Sequence, residues 1–541
     1  GAAGCAADAA PGDAPGTRLG AGRAALPKAS GSVGIVGGGL AGLACAYELQ
    51  RSNLTATIYE AGSRAGGRCF SMGGTFAGPV TFPGQVVERG GEFIDTTHLT
   101  MKAYAKELGL TLADISKDPG EVFYRVGGEL VPESVVVDEY RVLVDAMRDD
   151  LRRIGAPTAR SFTPDDEYFD RLNLRQYLES RGAGRVIRTV LEVAYTIEYG
   201  LDADRLSSLS FLLFIHADRR SKFRPFGVFS DERYHVVGGN QQIADGLAAR
   251  LPGQIQYERA LVAARKLADG RVELSVREGS RTRAVVHDAV VIALPFSVLR
   301  GVDLDPSLGL SPEKQRAIRE LQYGTNCKMM VGFGARPWIE LGSNGSSYSD
   351  LPNLQATWET DARNATASRG ILTDYSGGAR GAALDPRRVQ THAADFVADL
   401  DRVFPGAAAA VTRDRRGTIL AHLEAWPKNP LALGSYTANH PGYFTTIADE
   451  ESRPEGNVFL RVAGLHGGRG ALRAARGRRG GGAAPEVTET RAPLRRAVRD
   501  SHDRPPVEAP RHGPSPSRAS QKLQSSSFRR WPTEGVASTL R

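Results

Sequence analysis

Ser32-Val33-Gly34-Ile35-Val36-Gly37-Gly38-Gly39-Leu40-Ala41-Gly42, with Glu60 following 18 residues after Gly42, is the stretch on which the fold turns. Ser32 to Val36 reads as a short buried strand, Leu40 to about Gln50 as an amphipathic helix, and Thr55 to Tyr59 as a second strand, alternating and β-branched. Between the first strand and the helix lies Gly37-x-Gly39-x-x-Gly42. The first glycine permits a tight turn, the second lets backbone approach a pyrophosphate, and the third lets the helix pack on the strand. The helix N-terminus then turns its free N–H groups toward phosphate charge. Glu60 ends the second strand, where a carboxylate accepts hydrogen bonds from a ribose hydroxyl and disfavours a 2′-phosphate. Strand, glycines, helix and acid together predict half of a βαβ unit that binds a dinucleotide, either NAD or FAD.

Outward from this unit, a helical stretch runs from Leu99 to Leu108 and stops at Gly109, and longer helical patterns cover roughly 138–154 and 171–198. Tyr257 to Val276 and Ala284 to Leu294 read as strands. Ser311-Pro312-Glu313 offers an N-cap serine with proline at the first helical position, opening a helix to about Leu321. Val458-Phe459-Leu460 reads as a further strand. The predicted class is α/β, a Rossmann-like dinucleotide-binding domain with an inserted α+β domain. At ~150 residues per domain, 541 residues exclude one small module. No apolar run approaches the roughly 18 residues of a membrane span. Cys5, Cys45, Cys69 and Cys327 are scattered, so neither a disulfide framework nor a metal site is predicted.

The net charge of +8 is not spread evenly. Residues 461–541 hold 16 Arg and 1 Lys against 6 acidic residues, a net of +11, which leaves the preceding 460 residues at −3. This basic segment is rich in Arg, Gly, Pro and Ser and poor in apolar residues, so it is predicted to be disordered, as are residues 1–30. Ala3-Gly4-Cys5 resembles the end of a bacterial lipoprotein signal, which leaves a lipid anchor at Cys5 open and the location open between cytoplasm and export.

The residues after Glu60 separate the two dinucleotides. Arg64-Ala65-Gly66-Gly67-Arg68 extends the motif as R-x-G-G-R, and the chain resembles the flavin-containing amine oxidase family (monoamine and polyamine oxidase-like) over about residues 32–459. The resemblance implies FAD, with Arg64, Gly66, Gly67 and Arg68 along its diphosphate and ring. Glu88-Arg89-Gly90-Gly91-Glu92-Phe93 resembles the family segment in which a glycine pair lets backbone approach the isoalloxazine. Gly90, Gly91, Glu92 and Phe93 are therefore expected at the cofactor. Val262 falls where a backbone contact to adenine is expected, after a segment, Tyr234 to Asn240, that resembles the return to the FAD domain. Tyr323 to Lys328 resembles the segment whose lysine holds a water beside flavin N5, which points to Lys328. Trp426 to Tyr436 resembles the family's W…GSY element, placing Trp426 at the cofactor and Tyr436 as one wall of an aromatic substrate cage. Ser435 stands where covalently flavinylated members have cysteine, so the FAD is expected to be noncovalent.

On this resemblance, residues 31–95, 236–300 and 420–460 form the FAD-binding domain, and 96–235 and 301–419 the substrate-binding domain. The implied reaction oxidises a small-molecule amine to an imine, which hydrolyses to an aldehyde, while oxygen is reduced to hydrogen peroxide. An L-amino-acid oxidase or a desaturase of the same fold is the alternative. The family's last motif should follow Phe459, but the chain reads Leu460-Arg461-Val462-Ala463-Gly464-Leu465-His466, without an acid or a cage aromatic. A shifted reading frame or a lineage-specific tail would each produce this, and either puts FAD retention in question. From a different class, a flavin-free remnant with a polyanion-binding tail also stands open, although no specific nucleic-acid motif accompanies the arginines. Oligomeric state is not legible.

Overall fold

The computed structural model describes residues 31–460 except 118, 216, 218–221, 227–229 and 367. The expectations for residues 1–30, Cys5 included, and for 461–541 lie outside the described residues. Strand β1 (Val33–Val36), helix α1 (Leu40–Arg51) and strand β2 (Ala56–Tyr59) form where the spacing predicts them. All four residues of β1 are buried, as expected for a strand covered on both faces. It is the centre of a five-stranded parallel sheet in the order Val458–Leu460, Ala289–Ile292, β1, β2, Ile255–Gln256. Three distant parts of the chain thus meet in one sheet. Val33, Ile35 and Ile58 pack on one side of it against Leu43, Ala46 and Leu49 of α1 and Ile243 and Leu247 of the helix Gln241–Ala249.

A second sheet of seven strands runs in the order Ala421–Ala425, Cys327–Phe333, Gly370–Ser376, Leu354–Thr360, Ser343–Leu351, Glu121–Val126, Glu129–Val131. Its register aligns Glu424, Lys328, Tyr375, Ala356, Tyr348 and Tyr124 in one cross-strand row. Residues directly opposite on neighbouring strands face the same side, so this row is a continuous stripe across the sheet. The helix Arg185–Tyr199 packs on strands Ser343–Leu351 and Leu354–Thr360. The architecture is α/β with FAD-domain topology, and no helix among the described residues is long and apolar enough to cross a membrane.

Several element boundaries differ from expectation, and the pattern over 138–154 is two helices, Glu133–Ala146 and Arg148–Arg153. The helical pattern over 171–198 is three elements: Pro164–Arg171, Leu174–Ser180 and Arg185–Tyr199. Asn173 opens the second with a capping box, its side chain accepting from the Gln176 N–H, and Gly182 at φ +64° ends the run. Likewise 257–276 is not one strand. Ala260–Lys266 and Val272–Glu278 form a hairpin around Gly270 at φ +86°. The helix predicted at Ser311 is found as Pro312–Glu320, with the Ser311 side chain accepting from the Lys314 N–H.

Candidate active site

The turn after β1 is closed by contacts that admit no side chain. A Cβ on Gly42 would lie 1.9 Å from the Gly37 carbonyl oxygen, and Gly37 itself sits at φ +101°. Gly42 therefore brings α1 against β1 and does not face the cavity beyond. The R-x-G-G-R loop lies directly on this turn: the Gly66 N–H donates to the Gly38 carbonyl at 2.8 Å, and a Cβ on Gly67 would come within 3.2 Å of the Gly39 Cα. Glu60 ties both loops, Oε2 accepting from the Gly38 N–H at 2.6 Å and Oε1 from the Gly62 N–H at 2.7 Å. Each carboxylate oxygen keeps a further lone pair for an outside donor.

The two arginines of the loop behave differently. Arg64 folds back, donating to the carbonyls of Ala65 and Gly67 and lying 3.5 Å over the Phe70 ring. Arg68 is half-buried, and its guanidinium donates to the Ser435 carbonyl. Among the described residues no carboxylate pairs with it. Desolvation pushes its pKa below the usual guanidinium value, and a partly buried cation answered only by a carbonyl fits a neighbouring anion. Val262 lies at a β-bulge between Leu261 and Ala263, which leaves it out of the ladder register and turns it to the cavity wall.

At the other end a Cβ on Gly90 would lie 1.7 Å from the Arg68 carbonyl oxygen, whereas one on Gly91 would meet nothing within 4 Å. Trp426 is buried and donates from Nε1 to the Arg89 carbonyl at 2.9 Å. Lys328, 5% exposed, donates from Nζ to Glu92 Oε2 at 2.7 Å and to the Glu88 carbonyl at 3.3 Å, and lies 5.4 Å from the Trp358 ring centre. The Glu88 carboxyl accepts from the Asn240 N–H and the Ser71 hydroxyl, and burial pushes its pKa up to about 8. Phe93 packs on Trp358 at 5.3 Å between centres, and Trp358 on Tyr375 at 5.2 Å. The Tyr436 hydroxyl donates to the Ile197 carbonyl at 3.0 Å. Its one hydrogen is then spent, so the Tyr375 hydroxyl, 2.7 Å away, donates to it.

Of the sixteen residues expected at the site, all but Gly42 line one cavity of about 1620 Å³. That is larger than the roughly 300–1,000 Å³ of a pocket for one small ligand, and it leaves room for a dinucleotide together with a substrate. The glycine cradle, the helix N-terminus and the anion-seeking Arg68 fit FAD. Sequence reasoning missed Tyr375, Trp358, Glu198 and Glu232, which also line the cavity. It also missed Asn240, which holds the Gly91 and Glu92 carbonyls at 3.0 and 2.7 Å. Asn240 had a signal, since it closes the family-like segment that starts at Tyr234; the others had none. Among the described residues no three metal-ligating side chains are grouped.

Comparison with known proteins agrees with this geometry. The L-amino-acid oxidase of Siganus canaliculatus is 25% identical over 466 residues, 81% of each chain. Two solved structures share the fold: putrescine oxidase bound to putrescine (TM-score 0.65, 20% identity, covering 82% of this chain and 96% of that one) and the cyclohexylamine oxidase of Brevibacterium oxydans (TM-score 0.66, 20% identity, 82% and 97%). The profile of flavin containing amine oxidoreductases matches residues 40–474, running past Leu460 into the segment that the sequence set apart. The chain thus belongs to the flavin containing amine oxidoreductases and is an FAD-dependent enzyme of amine oxidation.

Proposed function

We propose that FAD lies noncovalently along the glycine-lined half of the cavity, and that a small-molecule amine is oxidised at the end walled by Lys328, Tyr375 and Tyr436. Glu60 would accept from the ribose hydroxyls, the N-terminus of α1 would face the diphosphate, and Val262 would offer backbone to the adenine. When bound, the flavin supplies a two-electron acceptor and oxygen takes the pair, giving hydrogen peroxide. The chain's own work is to orient the amine and exclude water. Two of the three Nζ hydrogens of Lys328 are committed to Glu92 and Glu88, and the third remains for a water in the cavity. The rings of Tyr436 and Tyr375, fixed by their hydroxyl contact, form a dry wall that tolerates a substrate with cationic character. Water then adds to the imine and releases aldehyde with amine or ammonia.

The observation that carries this reading is the cross-strand row. It delivers Lys328 and Tyr375 side by side to the cavity whose opposite half is the glycine cradle. A second reading, L-amino-acid oxidation, is supported by the Siganus relative and needs a cation for the substrate carboxylate. Of the cavity's arginines, Arg336 is already held by Glu359 at 2.5 Å, which favours a plain amine. The test is aldehyde and peroxide produced by the FAD-supplied chain on a panel of amines and amino acids. Equal yields of both with amines support the reading, and none with any substrate contradicts it.

A further inference from the structure

Resting on that reading for the reduction of oxygen, we infer that Glu88 holds a proton behind the Lys328–Glu92 pair and passes it, through one enclosed water and that pair, to the oxygen being reduced. Glu88 ends the strand Val86–Glu88, directly opposite Ser71 on the strand Ser71–Gly73. It is 3% exposed and stands outside the lining of the main cavity. Among the described residues its carboxyl makes no ion pair. Its oxygens accept from the Asn240 N–H at 2.7 Å and the Ser71 hydroxyl at 2.8 Å, and each keeps a second lone pair. Beside it lies a void of about 10 Å³, room for one water. Glu88, Glu92, His235 and Asp361 line this void, and the last three line the main cavity as well. Glu92 has Oε2 on Lys328 and leaves Oε1 without a hydrogen bond, in a side chain only 8% exposed. A carboxylate oxygen so buried and unanswered fits a water as donor.

Hydride transfer from an amine gives the flavin two electrons and one proton. Hydrogen peroxide takes both electrons and needs two protons, so the second proton comes from elsewhere. Lys328 Nζ gives a hydrogen to the cavity water beside the oxygen and is refilled from Glu92, Glu92 from the void water, and that water from the Glu88 O–H. Each transfer breaks one bond to hydrogen and forms another, so one proton moves in net and oxygen is the sole oxidant. Half-buried His235, on the strand Tyr234–Val236, joins the void to the main cavity and is the way by which Glu88 is reprotonated. Burial is the strongest influence on Glu88 and holds it at about 8, with Glu92 raising it further and Asn240, Ser71 and Lys328 opposing. His235 and Asp361 face it across the void, and burial pushes the neighbouring Cys69 thiol up. Glu88 is therefore protonated and able to give below about pH 8, and ionised above it.

The test is reoxidation by oxygen of the full, FAD-supplied chain, reduced beforehand with stoichiometric dithionite and followed across pH by stopped flow. No amine enters this measurement, so failure of the amine reading shows separately in the substrate panel. The wild-type rate should fall by about tenfold or more as pH is raised through about 8. Glu88→Gln, which keeps the shape but has no acidic proton, should be slower by about tenfold or more at pH 7 and lose that midpoint. Ser71→Ala removes a donor that favours the ionised acid, so its midpoint should move to higher pH. Infrared titration of the chain without flavin supplies an independent reading: a protonated-carboxyl band that fades near pH 8 in the wild type and is missing from Glu88→Gln. If Glu88→Gln fails to accumulate, the wild-type profile and the Ser71→Ala shift decide. A flat wild-type profile, a midpoint unmoved in both variants, or the same infrared titration in Glu88→Gln overturns the inference and leaves Glu88 a structural acid.

Discussion

Lys328 and Glu92 form a buried ion pair, Nζ to Oε2 2.7 Å, with side chains 6% and 8% exposed. Removing one partner strands the other charge. Lys328→Met should therefore destabilise the fold by about 3–5 kcal/mol, and adding Glu92→Gln should recover much of that loss. Urea titration of the single and double variants measures it. In the reacting enzyme, Lys328→Met should slow the oxygen-dependent half-reaction by about tenfold or more while amine binding changes less than about threefold. Stopped-flow traces with an unchanged oxidative phase would remove Lys328 from the chemistry and leave it a structural cation.

Neighbouring glycines give a sharper contrast. Gly90→Ala drives a methyl group to 1.7 Å from a carbonyl oxygen, so it should abolish soluble folded protein. Gly91→Ala meets nothing within 4 Å. It should fold with an unchanged melting temperature and lose FAD affinity because the methyl enters the cavity. Normal FAD affinity in Gly91→Ala would mean that the ring does not approach this turn.

Ser435 bears on attachment of the cofactor. Its hydroxyl donates to Asn326 Oδ1 at 2.7 Å, and it has no thiol to link a flavin. Acid precipitation should carry all yellow colour into the supernatant. Colour held in the washed pellet would contradict noncovalent binding.

What was legible in the sequence is what the backbone itself demands. Gly37 and Gly42 could be read because the turn excludes any Cβ at both, and that exclusion is written as glycine; at Gly39 a Cβ would meet only the Gly67 Cα at 4.0 Å, so that glycine shows through its spacing alone. Lys328 and Tyr436 carry no such mark, and only the family resemblance singled them out. Tyr375 and Trp358 were illegible because their place depends on pairing Lys328 with Tyr375 across strands that are distant in sequence. Glu198 and Glu232 sit at a helix end and in an irregular loop that meet only through tertiary packing. The helical run over 171–198 misled because Asn173 and Gly182 interrupt it without disturbing its apolar periodicity. Val458–Leu460 completes the parallel sheet as expected, and the family profile continues past that strand to residue 474.

The most direct test of the account is the visible spectrum of the full chain supplied with FAD, recorded before and after anaerobic addition of each of a panel of amines. The account predicts the twin bands of protein-bound flavin, bleached by the amine and restored on admitting oxygen as peroxide appears. A chain that leaves FAD free in solution, or that binds it and stays yellow with every amine, would contradict it.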